Sequence, residues 1–220
     1  MRRTHDRKEE VQLIIVGTGG FGREVLDVVE AGGVATPYET VAFMADFDDN
    51  DALLAQRGYE RIGPIQASTC EPCDYVIGIG SGEARRVISK RLDVAGFRAV
   101  TLVHPTSSVG AGVTVGPGTV ICGGARLTNN ITLGRHVHVN LNATIGHDCV
   151  LEDFVTLSPL VAISGRCTLA EGVTMGTTSC TIERRTIGAW TTVGAGGVVT
   201  KDLEQGVVAV GAPARPRVAR

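Results

Sequence analysis

The chain is poor in aromatic residues, with one Trp, three Tyr and five Phe among 220 residues. So few rings exclude an extended base-stacking platform for single-stranded nucleic acid. Positive charge is not in surplus either. Twenty-one Lys and Arg stand against 23 Asp and Glu, a net charge of −2, with no basic stripe. A nucleic-acid partner is therefore not expected. No apolar run approaches the ~20 residues needed to span a bilayer. Met1–Glu10 is charged and polar, with no hydrophobic segment of a secretory signal. The expectation is a soluble cytoplasmic protein without membrane insertion, with a flexible tail over residues 1–10. Cysteine is modestly represented by Cys70, Cys73, Cys122, Cys149, Cys167 and Cys180. Cys70-Glu71-Pro72-Cys73 has the spacing of half a zinc site, but the second pair is missing, so it reads as a loop with two reduced thiols.

What is present is a period of six. From Val109 to Val199 an apolar residue returns every sixth position without insertion, and Thr181 is the only member that is neither aliphatic nor Met. The following position is often Gly, as at Gly110, Gly116, Gly134, Gly146, Gly176, Gly188 and Gly194. The fifth position is small or β-branched from Val113 to Gly197, except at Arg185. Neither a helix nor a plain amphipathic strand repeats every six residues. A fixed short period means one unit stacked on itself, here a hexapeptide-repeat parallel β-helix. With three hexads per coil, Cys149 and Cys167 stack inside the prism as small apolar groups.

Ahead of the repeat, Val11–Val16 reads as a strand, Gly17-Thr18-Gly19-Gly20-Phe21-Gly22 as a turn, and the next residues as a helix ending near Gly32-Gly33. Further strands are expected at Thr40–Met44, Tyr75–Ile79 and Arg98–Val103, with a helix from Glu83 to about Asp93. Alternation of strand and helix implies a small Rossmann-like α/β domain at 11–103, then the β-helix at 104–203 and a C-terminal tail at 204–220. Gly17-x-Gly19-x-x-Gly22 lets backbone N–H groups approach a phosphate, and Asp46 falls where a ribose or base contact belongs. About 90 residues are too few for two mononucleotide halves, so a mononucleotide or nucleotide-sugar site fits better than NAD. A tight turn without ligand is the competing reading.

Residues eighteen apart lie one above another at about the strand spacing of ~4.8 Å. One such column runs Asn129, His147, Gly165, Glu183, and the next runs Asn130, Asp148, Arg166, Arg184. His147 is outside both inward columns and should stand at a corner. A histidine beside Asp148 and one coil from a glycine N–H offers the base and the oxyanion donor that direct acyl transfer from a thioester requires. A solvated surface histidine is the alternative. His136 and His138 lie in another hexad on a different face, and no His-x₄-His pair is present, so no metal is expected within the chain.

The order of motifs resembles the bacterial hexapeptide-repeat sugar acetyltransferases, the sialic-acid O-acetyltransferase and bacillosamine-type nucleotide-amino-sugar N-acetyltransferase family. The residues concerned are Gly17–Gly22, Ile79-Gly80-Ser81-Gly82-Glu83-Ala84-Arg85, Val103-His104-Pro105, Asn140, Ile145–Leu151, Val199–Asp202 and Val210–Ala214. The resemblance implies a left-handed β-helix homotrimer using acetyl-CoA, with active sites between subunits. It makes His147 the base and Asp148 its partner. Gly165 would meet the thioester carbonyl, and Thr156, Thr177 and Ala195 would line the coenzyme. Gly19, Gly20, Phe21, Asp46, Gly80 and Asn140 would bind the nucleotide-sugar acceptor. The chain departs from the family in three places. Ala45-Asp46 replaces two consecutive acids, Phe21 replaces a histidine often seen in the glycine turn, and Thr156 replaces a second histidine common nine residues after the base. N-acetylation of a nucleotide-linked amino sugar is the favoured activity. O-acetylation of a hydroxyl acceptor and a non-catalytic β-helix binding protein remain as alternatives.

None of the six cysteines sits in a nucleophile turn, so transfer without an acyl-enzyme is expected. Mass spectrometry after mixing with acetyl-CoA alone should show unmodified protein, and a stable adduct on Cys149 would refute direct transfer.

Overall fold

The computed structural model describes residues 12–32, 38–66 and 68–217. The tail expected at 1–10, Val11 of the first expected strand and Gly33 at the expected helix end lie outside the described residues. The first domain runs β1 (Leu13–Val16), α1 (Gly20–Glu30), β2 (Val41–Met44), α2 (Asp51–Ala55), β3 (Arg61–Gly63), β4 (Asp74–Ile77), α3 (Gly82–Val94) and β5 (Arg98–Ala99). All neighbours pair in parallel in the order β3-β2-β1-β4-β5. The continuous apolar run of β1 follows from burial on both faces. Leu13 and Ile15 share a core with Val25, Leu26 and Val28 of α1, whereas Ile14 and Val16 share one with Ile88 and Leu92 of α3. Strand order reverses between β1 and β4, and in open α/β sheets ligands bind beyond the strand ends at such a reversal. The turns after β1 and β4, at 17–20 and 78–82, flank that point. The short α2 and β3 were not legible as periodic patterns, which need longer runs.

From Leu102 onward, two-residue strands recur every six residues, each parallel to the strand eighteen residues away, as in Arg126↔Thr144, Ile145↔Ile163 and Leu151↔Leu169. They form three faces of a left-handed parallel β-helix. One face, including Val120–Ile121, His138–Val139, Thr156–Leu157 and Thr174–Met175, carries the first domain and is called the docked face. The second includes Arg126–Leu127, Thr144–Ile145, Ala162–Ile163 and Cys180–Thr181, and the third includes Thr132–Leu133, Val150–Leu151 and Thr168–Leu169. The sixfold aliphatic series from Leu127 to Val199 points inward and is buried, as are Cys149 and Cys167. Thr181, its polar member, is buried too and its hydroxyl accepts a hydrogen bond from Ser164 N at 3.0 Å.

Three boundaries differ from expectation. The strand expected at Arg98–Val103 is two strands: Arg98–Ala99 pairs with β4, and Leu102–Val103 pairs with Val120–Ile121 in the prism. The chain changes sheets at Val100-Thr101, where Thr101 Oγ1 donates to Gly116 O at 2.9 Å. The stretch expected as a tail after 203 carries Val208–Val210, which extends the docked face beside Thr192–Val193, and Arg215–Pro216, which folds back against it. Its Ala209 and Ala214 close the core, so burial rather than repeat period ends the stack. Arg185 leaves the small inward column, and its guanidinium lies 3.3 Å from Asp202.

The first domain docks through rings and buried polar groups. Phe21 packs on His138 (centroids 4.6 Å), and His136 stacks between Phe154 (5.6 Å) and Tyr75 (5.9 Å). Both histidines are buried, and no side chain hydrogen-bonds to either ring among the described residues. Tyr75 donates to Asp93 at 2.7 Å, and Asp93 pairs with Arg135 of the prism. Arg86 lies 4.6 Å over Trp190 and 3.8 Å from Glu171.

Burial pulls the His136 pKa down to about 4, with Arg135 and Arg85 adding to the effect and Asp93 opposing it. Burial lowers His138 further, helped by Arg85 and His136 and opposed by the Ile77 carbonyl. Both rings are neutral in the fold, whereas an unfolded chain protonates them below about pH 6.5. The unfolded state therefore binds more protons between about pH 6.5 and pH 4, and stability falls as pH drops through that window. The melting temperature should decline there, and less steeply in the His136→Phe, His138→Phe double variant. An equal slope in both proteins would refute the assignment.

Candidate active site

Local turn geometry places the candidate base. Every prism turn from Gly112 to Gly196 has one residue at positive φ, spaced six apart, and Asn130 (φ 53°), Asp148 (φ 60°) and Arg166 (φ 59°) occupy this position at the corner between the second and third faces. Left-handed backbone at a non-glycine residue costs about 1–2 kcal/mol, and Asn and Asp tolerate it best. The coil ladder holds it in place: Asp148 N donates to Asn129 O at 3.1 Å and Arg166 N to His147 O at 2.8 Å. The two columns expected from the sequence thus stand side by side.

His147 Nδ1 lies 2.8 Å from Asp148 Oδ2. Asp148 also accepts from Asn130 Nδ2 at 3.4 Å and faces Arg166 Nε at 3.6 Å. The hydrogen bond with His147, aided by Asn130 and by the charges of His147 and Arg166, holds the Asp148 carboxyl below the usual carboxylate range. An ionised carboxylate only accepts, so Nδ1 carries the proton that faces Asp148, and in the neutral ring the lone pair falls to Nε2. The Cε1–Nε2 edge of the ring lies over Gly165 one coil away, where an added Cβ would come within 2.7 Å of both atoms. Gly165 leaves room for the ring, and its N–H has no acceptor among the described residues. Base and unpaired amide are therefore adjacent at one corner, with Gly165 buried beneath the half-buried His147 ring.

The other expected residues fall elsewhere. Asn140, Thr177 and Ala195 lie at the corner between the docked and second faces, one prism face away from His147. Asn140 Oδ1 accepts from Leu141 N at 2.7 Å. Thr156, on the docked face, is buried under the second glycine turn, with its hydroxyl 3.4 Å from Gly80 O and 2.9 Å from Arg85 Nη2. Gly19, Gly20 and Gly80 stand at the strand-order reversal, and an added Cβ at each would meet nothing within 4 Å. Neither packing nor a positive φ accounts for these three glycines, and their backbone is open to close approach from outside. Gly22 and Gly78 differ, because a Cβ at Gly22 would meet Gly17 O at 1.9 Å and one at Gly78 would meet Gly22 Cα at 2.5 Å. The two glycine turns are thus locked together. Asp46 Oδ1 accepts from Ile65 N at 2.9 Å, leaving its second oxygen for a ligand.

The sequence reading gave no role to Arg85, Asn130 or Arg166. Arg85 shares a helical stripe with Ile88 and Leu92, so a charge on the apolar face was the available signal. Burial lowers its pKa to about 9, which leaves it charged at neutral pH. A groove of about 370 Å³ on the third face, lined by Thr132, Val150, Glu152, Asp153 and Glu171 among others, does not include His147. Among the described residues no three His, Cys, Asp or Glu side chains are grouped to hold a metal ion, and no helix is long and apolar enough to cross a membrane.

Gly165→Ala should displace the imidazole from the corner while the coil ladder persists. Activity is expected to fall by roughly 10-fold or more if the base must stay in place, with the β-sheet circular dichroism retained. Full activity in this variant would separate the His147 position from function.

Residues 12–92 match the family model described as the PglD N-terminal domain. The chain is 28% identical over 165 residues to the GDP-perosamine N-acetyltransferase of Escherichia coli O157:H7, covering 74% of each. Among solved structures, it is similar to the acetyltransferase domain of PglB from Neisseria gonorrhoeae (TM-score 0.87, 30% identity, 94% of this chain and 99% of that one). That domain has also been solved with acetyl coenzyme A. It is similar as well to a histidine-to-asparagine mutant of perosamine N-acetyltransferase from Caulobacter crescentus with CoA and GDP-perosamine (TM-score 0.84, 27% identity, 94% and 97% coverage). The fold, the paired glycine turns and these relatives together establish that the chain belongs to the hexapeptide-repeat sugar acetyltransferases and is an acyltransferase.

Proposed function

We propose that the chain transfers the acetyl group of acetyl-CoA to the amino group of a nucleotide-linked amino sugar, with His147 as general base. The observation that carries this reading is the His147 ring lying over Gly165 while its Nδ1 is engaged by Asp148. The neutral amine attacks the thioester carbonyl carbon, and the oxyanion is met by the Gly165 N–H. His147 Nε2 takes the proton from the attacking nitrogen. The carbon–sulfur bond breaks, the thiolate receives that proton from the imidazolium, and the amide and CoA leave. Asp148 stabilises the transient imidazolium and fixes the tautomer. Cys149 and Cys167 are buried in the prism, in keeping with direct transfer.

The nucleotide is assigned to the two glycine turns, with Gly19, Gly20, Phe21, Asp46 and Gly80 around it. Relatives solved with GDP-perosamine support a nucleotide-linked amino sugar as the acceptor class. The assigned coenzyme residues Thr177 and Ala195, together with Asn140, lie one face away from His147 in the same chain, so one site needs two copies. Exposed Leu141 and Leu160 flank the second face at one corner, and exposed Ile182 at the other, in keeping with a subunit interface. We propose a homotrimer with a site at each junction, acting in the cytoplasm.

His147→Ala should lower turnover by roughly 10²–10⁴-fold with a change in stability within about 0.5 kcal/mol. Asp148→Asn should cost less, because the base remains. Thiol release with acetyl-CoA and a panel of GDP- and UDP-linked amino sugars measures both. Near-normal turnover in folded His147→Ala would refute the base. Sedimentation equilibrium should give a trimer, and a monomer at micromolar concentration would refute the shared site.

A further inference from the structure

Arg85, in the first turn of α3, is fully buried and has no carboxylate partner among the described residues. Its guanidinium is instead surrounded by oxygen acceptors from both domains. Nε donates to His136 O at 3.1 Å, and Nη2 donates to Phe154 O at 2.7 Å and Thr156 Oγ1 at 2.9 Å, all on the prism. Nη1 donates to two successive carbonyls of the second glycine turn, Ile79 O at 3.0 Å and Gly80 O at 2.8 Å. A buried ion without a counter-charge is costly to desolvate. Apolar contacts of α1 and the prism, Leu26, Leu102, Val120 and Cys122, already serve docking.

The two carbonyls explain the expense. In a trans peptide the C=O of one residue and the N–H of the next point in opposite directions. With Ile79 O and Gly80 O both turned onto Nη1, the N–H groups of Gly80 and Ser81 aim away from Arg85. Neither has an acceptor among the described residues, and the space at Gly80 is open. Gly78 packs on Gly22, so the first glycine turn is held in the same register. The positive charge below the turn, uncancelled by any carboxylate, adds attraction for an anion above it.

We propose that Arg85 is a positioning residue for the acceptor's diphosphate: it holds the Ile79–Gly80 peptides against the prism so that the Gly80 and Ser81 amides face the nucleotide. This rests on the assignment of the nucleotide to the glycine turns. It also ties that turn to Thr156 and Phe154, so acceptor and prism share one rigid frame.

Calorimetry with GDP and UDP on the full-length protein, Arg85→Lys and Arg85→Met tests it. Lysine keeps the charge but cannot bind both turn carbonyls and the prism acceptors together. Nucleotide affinity should fall by roughly 10-fold or more in both variants, while acetyl-CoA affinity stays within about twofold. A merely structural role would lower the melting temperature and leave the nucleotide affinity of the folded fraction unchanged, overturning the proposal. Should neither variant fold, amide exchange on the wild-type protein decides. The Gly80 and Ser81 amides should exchange freely alone and slow by roughly 10-fold or more when nucleotide binds. Unaltered exchange at both positions with nucleotide bound would overturn it. Wild-type protein that binds neither GDP nor UDP would overturn the nucleotide assignment itself, and the role of Arg85 with it.

Discussion

The coil-to-coil backbone ladder is the interaction on which the rest of the molecule depends. Each strand has only two residues, too few to be stable singly, and acquires its place from parallel partners one coil away on either side. Because every coil advances by eighteen residues, corners align and one residue per turn is pushed into the left-handed region. The ladder can hold ten non-glycine residues there because neighbouring turns bond to one another, as Arg166 N does to His147 O. His147 comes over Gly165 by this stacking, without a dedicated structural element. An imidazole on such a corner has only its own column for support, so glycine in the next coil and aspartate at the next residue decide its orientation.

The second constraint is the seam between the domains, which is unusually polar for a buried surface. Two histidines packed on Phe21, Phe154 and Tyr75 lie there, with an arginine that has no carboxylate partner among the described residues. Apolar residues of the same size would cost less to bury. Hydrogen bonds from Arg85 to particular carbonyls fix one relative placement of the domains, which a plain apolar seam would leave freer to slide. On the proposed function, bringing the acceptor on one domain to the acyl group on the other depends on that placement.

The exposed second face lies between two corners of the prism. On the proposed function one corner carries the base and the other the residues assigned to the coenzyme, so a complete site calls for a second copy. Large apolar side chains flank both corners, and Thr144, Ala162 and Cys180 on the face between them are short. The shape of the prism thus links assembly to chemistry.

The strict period of six in the sequence determined the β-helix, its inward columns and the alignment of residues eighteen apart. That alignment already placed His147 beside Asp148 and one coil from Gly165, because stacking in a repeat is arithmetic. The glycine turns and the α/β order of the first hundred residues were legible for a similar reason, since strand, turn and helix are local patterns. Tertiary structure decided the remainder. The split of Arg98–Val103 between two sheets depends on which partner strand each half meets. The strand at Val208–Val210 falls out of period and forms because the prism end needs cover. The burial of His136, His138 and Arg85 exists only once one domain rests on the other, and Arg85 alone leaves a local trace, by its place on the apolar stripe of its helix. Sequence spacing specifies contacts within a repeating column, but the contacts between non-repeating surfaces are set by packing in three dimensions.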